Sequence, residues 1–556
     1  MEHKNCRKCN KEFILDEDDI SFYKKMKVPN PEVCPDCRFK MRAIWRNETT
    51  LYTGKKCDLC QKNIVTMYNP KLPYKVYCSN CYRGDKWNSK SYALDYDFNK
   101  TFFEQFNELL INVPKNQLFA ASSYGPNINS EFVNASALLK DCYLVFNTGP
   151  AENSMYSRGL DDTNEVLDAY FSTKDELCYE IINTHESSRV IFSKDIKNSV
   201  SIYLSEDLSG CINCFGCVGL RNKSNCIYNQ QVTKEEFSNF INNFQGSYKR
   251  MVEALEKFNN FRLQFPKKEN HNISTINSIG DYLNNTKNVK YSFEVRGSGE
   301  NCKYVFSCKG PKDCIGITGY GVNGEQLLEC VSTRFSSNVI GSYAIEQSQN
   351  ILYSFSCLSS NHDLIGCDSL KNSQHCILNK QYSKEEYEKI REHIVKELTD
   401  LGIYGLMIPP ELAPFAYNET IGQDNMPLTR EEAISQGFRW EDDIQKTEGK
   451  ETLKREDIAD HIKDIDDSIT REILACKDCN RNYKITEQEL LFYKKMNLPI
   501  PRKCFYCRHQ DRIKRRGPYK FWNRNCAKCD KDIVTNYAPE RPEIVYCERC
   551  YQNEVY

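Results

Sequence analysis

The stretch that decides the fold covers residues 188–227 and reads SRVIFSKDIKNSVSIYLSEDLSGCINCFGCVGLRNKSNCI. Starting at Val190, every twelfth residue is small or β-branched, as shown by Ile202 and Cys214. Short β-rich segments separated by Asn, Asp, Ser and Gly predict strands and turns. Because the period is fixed, the stretch predicts a solenoid in which each rung stacks on the next.

The period extends back to residue 142 in two neighbouring columns. The small column runs Cys142, Ser154, Val166, Cys178, Val190, Ile202, Cys214 and Cys226. The large column runs Tyr143, Met155, Leu167, Tyr179, Ile191, Tyr203, Phe215 and Ile227. We expect both columns to face inward, with the aromatic rings stacked along the repeat. The pattern leaves open whether one twelve-residue segment or two complete a coil.

A second lobe repeats the first lobe about 150 residues later, with a less regular period. Gly216-Cys-Val-Gly-Leu-Arg-Asn222 corresponds to Gly366-Cys-Asp-Ser-Leu-Lys-Asn372. Capping boxes follow both copies, at Thr233-Lys-Glu-Glu236 and Ser383-Lys-Glu-Glu386. They predict helices over 234–264 and 384–401, which would cover the ends of the lobes.

Eight C-x-x-C pairs lie at the two ends of the chain. The N-terminal pairs are Cys6/Cys9, Cys34/Cys37, Cys57/Cys60 and Cys78/Cys81, and the C-terminal pairs are Cys476/Cys479, Cys504/Cys507, Cys526/Cys529 and Cys547/Cys550. Matched spacing at both ends indicates an internal duplication. Two pairs supply the four thiolates of a tetrahedral zinc site, so these sixteen cysteines predict four Zn²⁺ ions. A site filled by four protein ligands has no position for water, so the zinc is expected to be structural.

The order in which the pairs combine is less strongly determined. A sequential arrangement joins the first pair to the second, whereas a cross-brace joins the first to the third; we favour the sequential arrangement. In the middle of the chain, Cys211, Cys214 and Cys217 have a spacing that could ligate a metal or an iron–sulfur cluster. Because Cys214 belongs to the small column, buried cysteines that pack as small apolar side chains are favoured instead.

The cysteine-rich ends resemble a known family. Cys6-x-x-Cys9, Phe13, Phe22-Tyr23, Pro31 and Cys34-x-x-Cys37-Arg38 are similar to the probable zinc-ribbon, treble-clef-like domain, and the similarity recurs over 476–512. A longer resemblance is to uncharacterised bacterial proteins that carry such ribbons at both ends of a region rich in Cys and Tyr. It is carried by Ala413-Pro-Phe-Ala-Tyr-Asn-Glu-Thr420 and Pro542-Glu-Ile-Val-Tyr-Cys547. The resemblance implies zinc binding and no particular activity.

These patterns predict an α+β, β-rich fold in which duplicated zinc-ribbon modules flank a two-lobed, β-helix-like solenoid with capping helices. The predicted segments are an N-terminal double zinc-ribbon module (1–90), a connecting helix (91–126), a first β-solenoid lobe with its capping helix (127–265), a second lobe with its capping helix (266–401), a connector (402–475) and a C-terminal double zinc-ribbon module (476–556). The charged part of the connector, 451–473, is predicted to be helical. Because metal ligation supplies much of the folding energy of small modules, strong chelation is expected to unfold the ends and spare the middle.

Charge is distributed unevenly along the chain. Residues 1–90 contain 19 Lys and Arg against 11 Asp and Glu, and residues 476–556 contain 18 against 10. The net charge of the whole chain is −1, so the middle is strongly acidic. Basic residues cluster after the second cysteine pair of each module, and the candidate phosphate contacts are Arg38, Arg42, Arg46, Arg512, Arg515, Arg516 and Arg524. The alternatives are that these basic faces are solvated or dock on acidic protein surfaces, including the acidic middle of this chain.

The function classes follow from these observations. The sequence lacks the phosphate-loop, H-E-x-x-H and G-x-S-x-G motifs, so we do not expect an enzyme. We expect a zinc-binding scaffold that has an unknown protein partner; the first alternative is a nucleic-acid-binding protein. The second alternative is a glycan-active solenoid enzyme that uses the acidic cluster Asp161, Asp162, Glu165 and Asp168. No membrane segment, signal peptide or small-molecule cofactor is expected, and the expected location is the cytoplasm.

Overall fold

The structure, a computed structural model, describes residues 1–119, 125–319, 321–322 and 324–555. The chain divides into two units, each made of two separate segments. Unit 1 combines residues 1–118 with 270–442, and unit 2 combines 119–269 with 443–556. The N-terminal cysteine-rich module therefore belongs with the second lobe, and the C-terminal module belongs with the first.

The helices of the described residues are short. They are α1 (Glu17–Met26), α2 (Pro35–Ala43), α3 (Ser79–Arg83), α4 (Phe102–Asn112), α5 (Lys234–Phe244), α6 (Tyr248–Phe261), α7 (Lys384–Asp400), α8 (Ile421–Asn425), α9 (Arg430–Ser435), α10 (Glu487–Met496), α11 (Phe505–Arg516) and α12 (Glu548–Val555). Single 3₁₀ turns lie at Ser89–Tyr92, Arg262–Gln264, Pro410–Leu412, Tyr417–Glu419, Arg455–Asp457, Ile462–Asp464 and Asp467–Thr470. No described helix is long and apolar enough to cross a membrane.

Two helix predictions need correction. The predicted helix over 234–264 is broken between α5 and α6, because Gly246 adopts a left-handed φ of +86° and Ser247 then caps a new helix. Residues 451–473 form 3₁₀ turns and extended chain instead of a helix. Their sequence is charged but lacks the apolar stripe that would hold a helix against a core.

Most of the strands belong to two large parallel sheets. The strands before residue 120 are β1 (Glu2–Asn5), β2 (Glu12–Leu15), β3 (Tyr52–Lys56), β4 (Asn63–Thr66), β5 (Val76–Tyr77) and β6 (Lys115–Asn116). Those of the first parallel sheet are β7 (Val133–Asn134), β8 (Leu139–Lys140), β9 (Tyr143–Phe146), β10 (Ala151–Glu152), β11 (Met155–Asp161), β12 (Thr163–Thr173), β13 (Glu176–His185), β14 (Ser188–Ile191), β15 (Lys194–Lys197), β16 (Val200–Tyr203), β17 (Glu206–Ser209), β18 (Ile212–Phe215), β19 (Ser224–Ile227) and β20 (Gln230–Gln231).

The second half of the chain begins with β21 (Lys267–Lys268). The second parallel sheet consists of β22 (Ile273–Ile276), β23 (Ile279–Asp281), β24 (Asn284–Arg296), β25 (Glu300–Lys303), β26 (Phe306–Lys309), β27 (Lys312–Ile315), β28 (Glu325–Leu328), β29 (Val331–Arg334), β30 (Ser337–Ile340), β31 (Tyr343–Leu352), β32 (Leu358–Ile365), β33 (Gln374–Ile377) and β34 (Lys380–Gln381). The last strands are β35 (Leu474–Ala475), β36 (Asn482–Tyr483), β37 (Trp522–Asn525), β38 (Asp532–Thr535) and β39 (Val545–Tyr546).

Both large sheets are built almost entirely from parallel strands; each ends in an antiparallel strand, β20 or β34. In the first sheet a residue pairs with the residue twelve positions later, as Met155 pairs with Leu167 and Tyr179 with Ile191. One twelve-residue segment, which we call a rung, therefore advances the chain by one level of the sheet. This register decides between the two coil lengths that the sequence left open.

The core of each sheet comes from every third residue. In the first sheet the buried cluster includes Cys178, Ile181, Val190 and Ile196. The backbone is left-handed at the same interval, with φ near 50° at Asn183, Glu186, Arg189 and Phe192. Left-handed φ is strained for most L-residues, so the hydrogen bonds between rungs must hold it in place.

The small column lies in this core, but the large column does not. Each large residue follows a core residue along its strand and therefore points to the outer face. Tyr203 and Phe215 are buried there because α5 covers them; the Phe215 ring lies 4.8 Å from the rings of both Phe240 and Phe244. The expectation that the aromatic column faces inward was wrong.

The second sheet has a less regular period because single residues are inserted between rungs. Val289 pairs with Cys302, Cys314 with Leu327, and Ile351 with Leu364, each pair being 13 positions apart. Each insertion shifts every later core position by one residue. The core nevertheless remains continuous across these shifts.

Serine ladders connect the rungs at the corners of the first sheet. The Ser187 hydroxyl donates to the carbonyl oxygen of His185 (2.8 Å) and accepts from the amide of Ser199 (3.1 Å). Ser193 makes the same pair of bonds with Ile191 and Ser205. A small hydroxyl thus satisfies two buried backbone groups that the sheet would otherwise leave without partners.

In one of these ladders Asp175 takes the place of a serine. Its carboxyl group should make the free energy of unfolding depend on pH. Its carboxylate accepts from the Ser172 hydroxyl (2.5 Å) and the Ser187 amide (2.9 Å), and burial raises its pKa to about 7. The folded state therefore holds a proton that the unfolded state releases near pH 4, so stability should fall as pH rises from about 4 to about 7. Asp175→Asn should remove a few kcal/mol of this dependence and be the more stable protein at pH 8. Urea unfolding at about pH 5.5 and pH 8 measures the difference; equal pH slopes for the two proteins would contradict it.

Candidate metal centres and the basic helices that follow them

The structure gathers the sixteen terminal cysteines into four clusters, each of which could hold a metal ion. They are Cys6, Cys9, Cys34 and Cys37; Cys57, Cys60, Cys78 and Cys81; Cys476, Cys479, Cys504 and Cys507; and Cys526, Cys529, Cys547 and Cys550. Within each cluster all four Sγ atoms lie within 4.8 Å of one another. Each cluster unites two consecutive pairs, which is the sequential arrangement that the sequence analysis favoured.

The sulfur spacing fits one tetrahedral ion per cluster. The Sγ atoms of Cys9 and Cys34 are 3.7 Å apart, and the closest contacts between pairs in the other clusters are 3.7–3.9 Å. A tetrahedral zinc ion with bonds of ~2.3 Å separates its thiolates by ~3.8 Å. All 29 cysteines, which lie in the described part of the chain, are free of disulfides and remain available as thiols or thiolates.

The first pair of each cluster lies in a tight turn that aims both thiols to one side. In the first module the Cys6 amide donates to the carbonyl oxygen of Lys11 (2.9 Å), and the Asn10 amide donates to that of Cys6 (2.8 Å). Asn10 is left-handed, with φ 58°, and the other three turns have left-handed residues at the same place. Those residues are Gln61, Asn480 and Asp530.

The second pair of each cluster lies at the start of a helix. Cys34 and Cys504 are the N-caps of α2 and α11, and Cys78 is the N-cap of α3. The positive end of a helix dipole stabilises a thiolate at this position. The amide of Cys34 also donates to the Sγ of Cys6 at 3.3 Å, which further stabilises negative charge on that sulfur.

In unit 1, two arginines of α2 follow the cysteines of the first cluster in sequence. Their side chains pair with a buried carboxylate of the second sheet. Arg38 Nη1 lies 2.8 Å from Glu329 Oε1, and Arg42 pairs with the other oxygen of the same carboxylate. All three residues are about 1% exposed, so these charges are fully removed from water. Arg42 also donates to the carbonyl oxygen of Tyr304 (3.3 Å).

Unit 2 repeats this arrangement with α11 and the first sheet. Arg512 Nη1 lies 2.8 Å from Asp168 Oδ1 and 3.0 Å from Glu180 Oε1. Arg508 Nε lies 3.0 Å from the same Asp168 oxygen. Arg512 donates to the carbonyl oxygen of Tyr156 (3.0 Å), as Arg42 does to Tyr304. The two units therefore use the same interaction between a β-sheet and a helix that begins at a cysteine cluster.

The electrostatics of these clusters are governed by burial and by the opposing charges. Burial raises the pKa of the Glu180 carboxyl, and Arg512 opposes that rise. Burial alone would lower the pKa of the Arg508 guanidinium, but Asp168 and its other neighbours raise it well above the ordinary value. Arg508 is therefore firmly charged, and the positive charge of Arg512 favours the ionised form of Glu180.

The structure places most of the predicted phosphate contacts inside the protein. Arg38, Arg42, Arg46, Arg512 and Arg516 are each at most 3% exposed. Four of these guanidinium groups pair with buried carboxylates, and that of Arg516 donates to the Tyr170 hydroxyl and the Gly517 carbonyl oxygen. Because all five are buried and have partners, they do not form the expected accessible basic edge. Arg515 and Arg524 are partly exposed, although both donate to backbone carbonyl oxygens. The nucleic-acid prediction therefore depends on these two residues.

Two further sequence hypotheses can be compared with the positions of their residues. Cys211, Cys214 and Cys217 are buried and donate to backbone oxygens two residues earlier, at 3.4–3.7 Å. They do not form a metal-binding group among the described residues. In the acidic cluster, Asp168 is buried against Arg512, whereas Glu165 pairs with Lys495 (2.7 Å).

Sequence reasoning missed the carboxylates that receive the arginines. Glu329, Asp168 and Glu180 stand at left-handed positions. The sequence pattern placed Asp168 in an acidic cluster with a different role, and it did not single out Glu329 or Glu180. The only signal was global: two basic ends and an acidic middle, whose opposite charges favour contact.

Compared with known proteins, the chain matches no family model, no curated protein and no solved structure.

Proposed function

We propose that this protein is a zinc-binding scaffold in which the zinc is structural. In this proposal the parallel sheets are β-solenoid lobes, and each cysteine-rich end is a pair of treble-clef-like zinc ribbons. The zinc ions fix the helices that carry the buried arginines, and those arginines clamp each module to its lobe. The assembled units then present a rigid surface to a protein partner in a reducing compartment such as the cytoplasm, where free cysteines persist.

The observation that carries the proposal is the closed S4 geometry of all four clusters. Four cysteines occupy every tetrahedral position, so a bound zinc ion would have no vacancy for water or substrate. Such sites contribute folding energy rather than chemistry. The helices that begin at the second cysteine pairs carry the arginines that contact the sheets. The folding energy of the metal site would therefore also stabilise the contact between each module and its sheet.

The zinc assignment predicts the metal content of the protein. Protein purified without chelator should contain about four zinc ions and little iron by elemental analysis, as sixteen matched thiolates require. Cys37→Ser should lower the content to about three, whereas Cys226→Ser, a buried cysteine of the sheet core, should keep four. Two zinc ions or fewer in the unmodified protein, or substantial iron, would refute the assignment.

The scaffold proposal and the nucleic-acid alternative differ in what the protein captures. Affinity capture from native lysate, with and without nuclease, should recover the same protein partners if the protein is a scaffold. Arg515→Gln combined with Arg524→Gln should leave that recovery unchanged. If nuclease abolishes recovery, and the double variant binds single-stranded RNA or DNA more weakly with a flatter salt dependence, the alternative is favoured.

A further inference from the structure

His362, Asp363 and His375 lie together on the outer face of the second sheet, at its last two rungs before β34. One side-chain donor atom from each residue lies within 4.8 Å of the other two. His362 Nδ1 is 2.8 Å from Asp363 Oδ2, and His375 Nε2 is 3.8 Å from the same oxygen. The three side chains are 23–45% exposed, so an ion from solvent can reach them.

The spacing of these atoms suits a divalent transition metal. Ligands bound at ~2.1 Å are separated by ~3.4 Å in a tetrahedron, which lies between the two measured distances. Two imidazoles and one carboxylate form a set that zinc, nickel, cobalt and iron accept. Among the described residues three side chains contribute ligand atoms, so water would fill the remaining positions, unlike those of the four cysteine clusters.

The carboxylate is oriented by a ladder of amides. Asn338 Nδ2 donates to Asn350 Oδ1 (3.1 Å), and Asn350 Nδ2 donates to Asp363 Oδ1 (3.0 Å). This leaves Asp363 Oδ2 directed at the two histidines. His375 occupies the next place in the ladder, and its ring packs near that of buried Tyr387 of α7 (5.6 Å). Such supporting contacts hold metal ligands in position.

The first lobe provides an internal comparison. At the offset of 150 residues, Ile212, Asn213 and Asn225 correspond to His362, Asp363 and His375. There the amide ladder simply continues, with Asn213 Nδ2 donating to Asn225 Oδ1 at 3.0 Å. In the first lobe an isoleucine and two asparagines therefore occupy the corresponding backbone positions. The fold does not require the metal-binding side chains there.

We propose that His362, Asp363 and His375 form a fifth metal site that binds a divalent transition metal exchangeably. It differs from the cysteine clusters in ligand type, exposure and open coordination. It lies on the face of the sheet, so occupancy would change the local surface charge by two units without altering the core. The site does not depend on the assignment of zinc to the cysteine clusters.

The test is a calorimetric titration of the full-length, zinc-loaded protein with Ni²⁺, using protein that carries no polyhistidine tag. Wild-type protein should bind one Ni²⁺ without releasing zinc. The variant H362I/D363N/H375N, which copies the first lobe, should lose this binding while keeping its four zinc ions and its melting temperature. His393→Asn, an exposed histidine of α7, is the matched control and should bind as wild type does.

Two intermediate variants extend the test. His362→Ile changes one exposed ligand and should weaken binding at least tenfold even if the triple variant folds poorly. Asn350→Ala removes the support of Asp363 and should weaken binding by roughly 10–100-fold. If wild-type protein shows no saturable Ni²⁺ binding, or if the triple variant binds as tightly as wild type, the site does not exist.

Discussion

Removal of the zinc ions proposed for the four cysteine clusters should destabilise both parallel sheets, beyond its effect on the cysteine-rich ends. Structural zinc sites contribute about 10–16 kcal/mol of apparent folding free energy in small modules. When the first cluster opens, α2 loses the anchor at its N-cap Cys34, and Arg38 and Arg42 leave Glu329. Glu329 would then be a buried carboxylate without its partners, which costs about 3–5 kcal/mol. This differs from the expectation from sequence that chelation would spare the middle of the chain.

Hydrogen exchange with and without a strong chelator measures this effect. Amides of β28, which directly precedes Glu329, and of its paired strand β30 should exchange much faster after chelation. So should those of β12 and β13, which carry Asp168 and Glu180. Strands β18 and β19 serve as the internal control, because α5 covers their outer face. If α2 and α11 exchange freely while β12, β13, β28 and β30 remain protected, the modules and the sheets are independent and the clamp is not a stabilising contact.

Arg512→Leu should be among the most destabilising single substitutions in unit 2, at about 3–5 kcal/mol. The substitution leaves buried Asp168 with Arg508 as its remaining partner, and Glu180 with the more distant Arg515 (3.8 Å). It also leaves the carbonyl oxygen of Tyr156 without the donor that it has in the native protein. Lys514→Leu, two residues further along α11 and exposed, should change stability by less than about 0.5 kcal/mol.

A second substitution separates unpaired charge from lost packing. Asp168→Asn added to Arg512→Leu should recover part of the lost stability, because it removes a carboxylate that has lost its strongest partner. Urea unfolding of the single and double variants gives the coupling energy. Additive costs would mean that Arg512 and Asp168 do not stabilise each other, contrary to their 2.8 Å contact.

The sequence predicted the local features of the metal centres well. A C-x-x-C turn and a helix start are both short-range structures, so the spacing of Cys6, Cys9, Cys34 and Cys37 was sufficient to predict which thiols meet. Residues twelve positions apart pair in the parallel strands, as the period indicated, although the period alone left a 24-residue coil equally possible. These features depend on contacts that recur at fixed, short separations.

The orientation of the aromatic column could not be read from the period alone. A repeat of twelve is compatible with a core position at every second residue or at every third, since twelve is a multiple of both. The left-handed backbone at every third residue selects the second possibility. It is adopted by Phe192, Arg189 and Glu186 as well as by Asn183, so composition did not reveal it.

The association of each module with its lobe was also beyond the sequence. Arg42 and Glu329 are separated by 287 positions, and Arg512 and Asp168 by 344. The local sequence around these side chains does not identify their partners. The order of segments along the chain suggests that each module would associate with the lobe next to it in sequence, which is the opposite of what the structure shows. The opposite charges of the ends and the middle indicated that contact was favourable, but not which surfaces would meet.

The same separations determine how the protein must be made. At a synthesis rate of ~5–20 residues per second, Arg38 and Arg42 are translated roughly 15–60 seconds before Glu329. During that interval the two arginines of the N-terminal module do not yet have the carboxylate of Glu329 as a partner. Asp168 and Glu180 face the converse delay, because Arg512 is translated after them. The nascent chain thus passes through a stage in which only one side of each buried charge cluster has been synthesised, and the arginines or carboxylates already made are without their native partners.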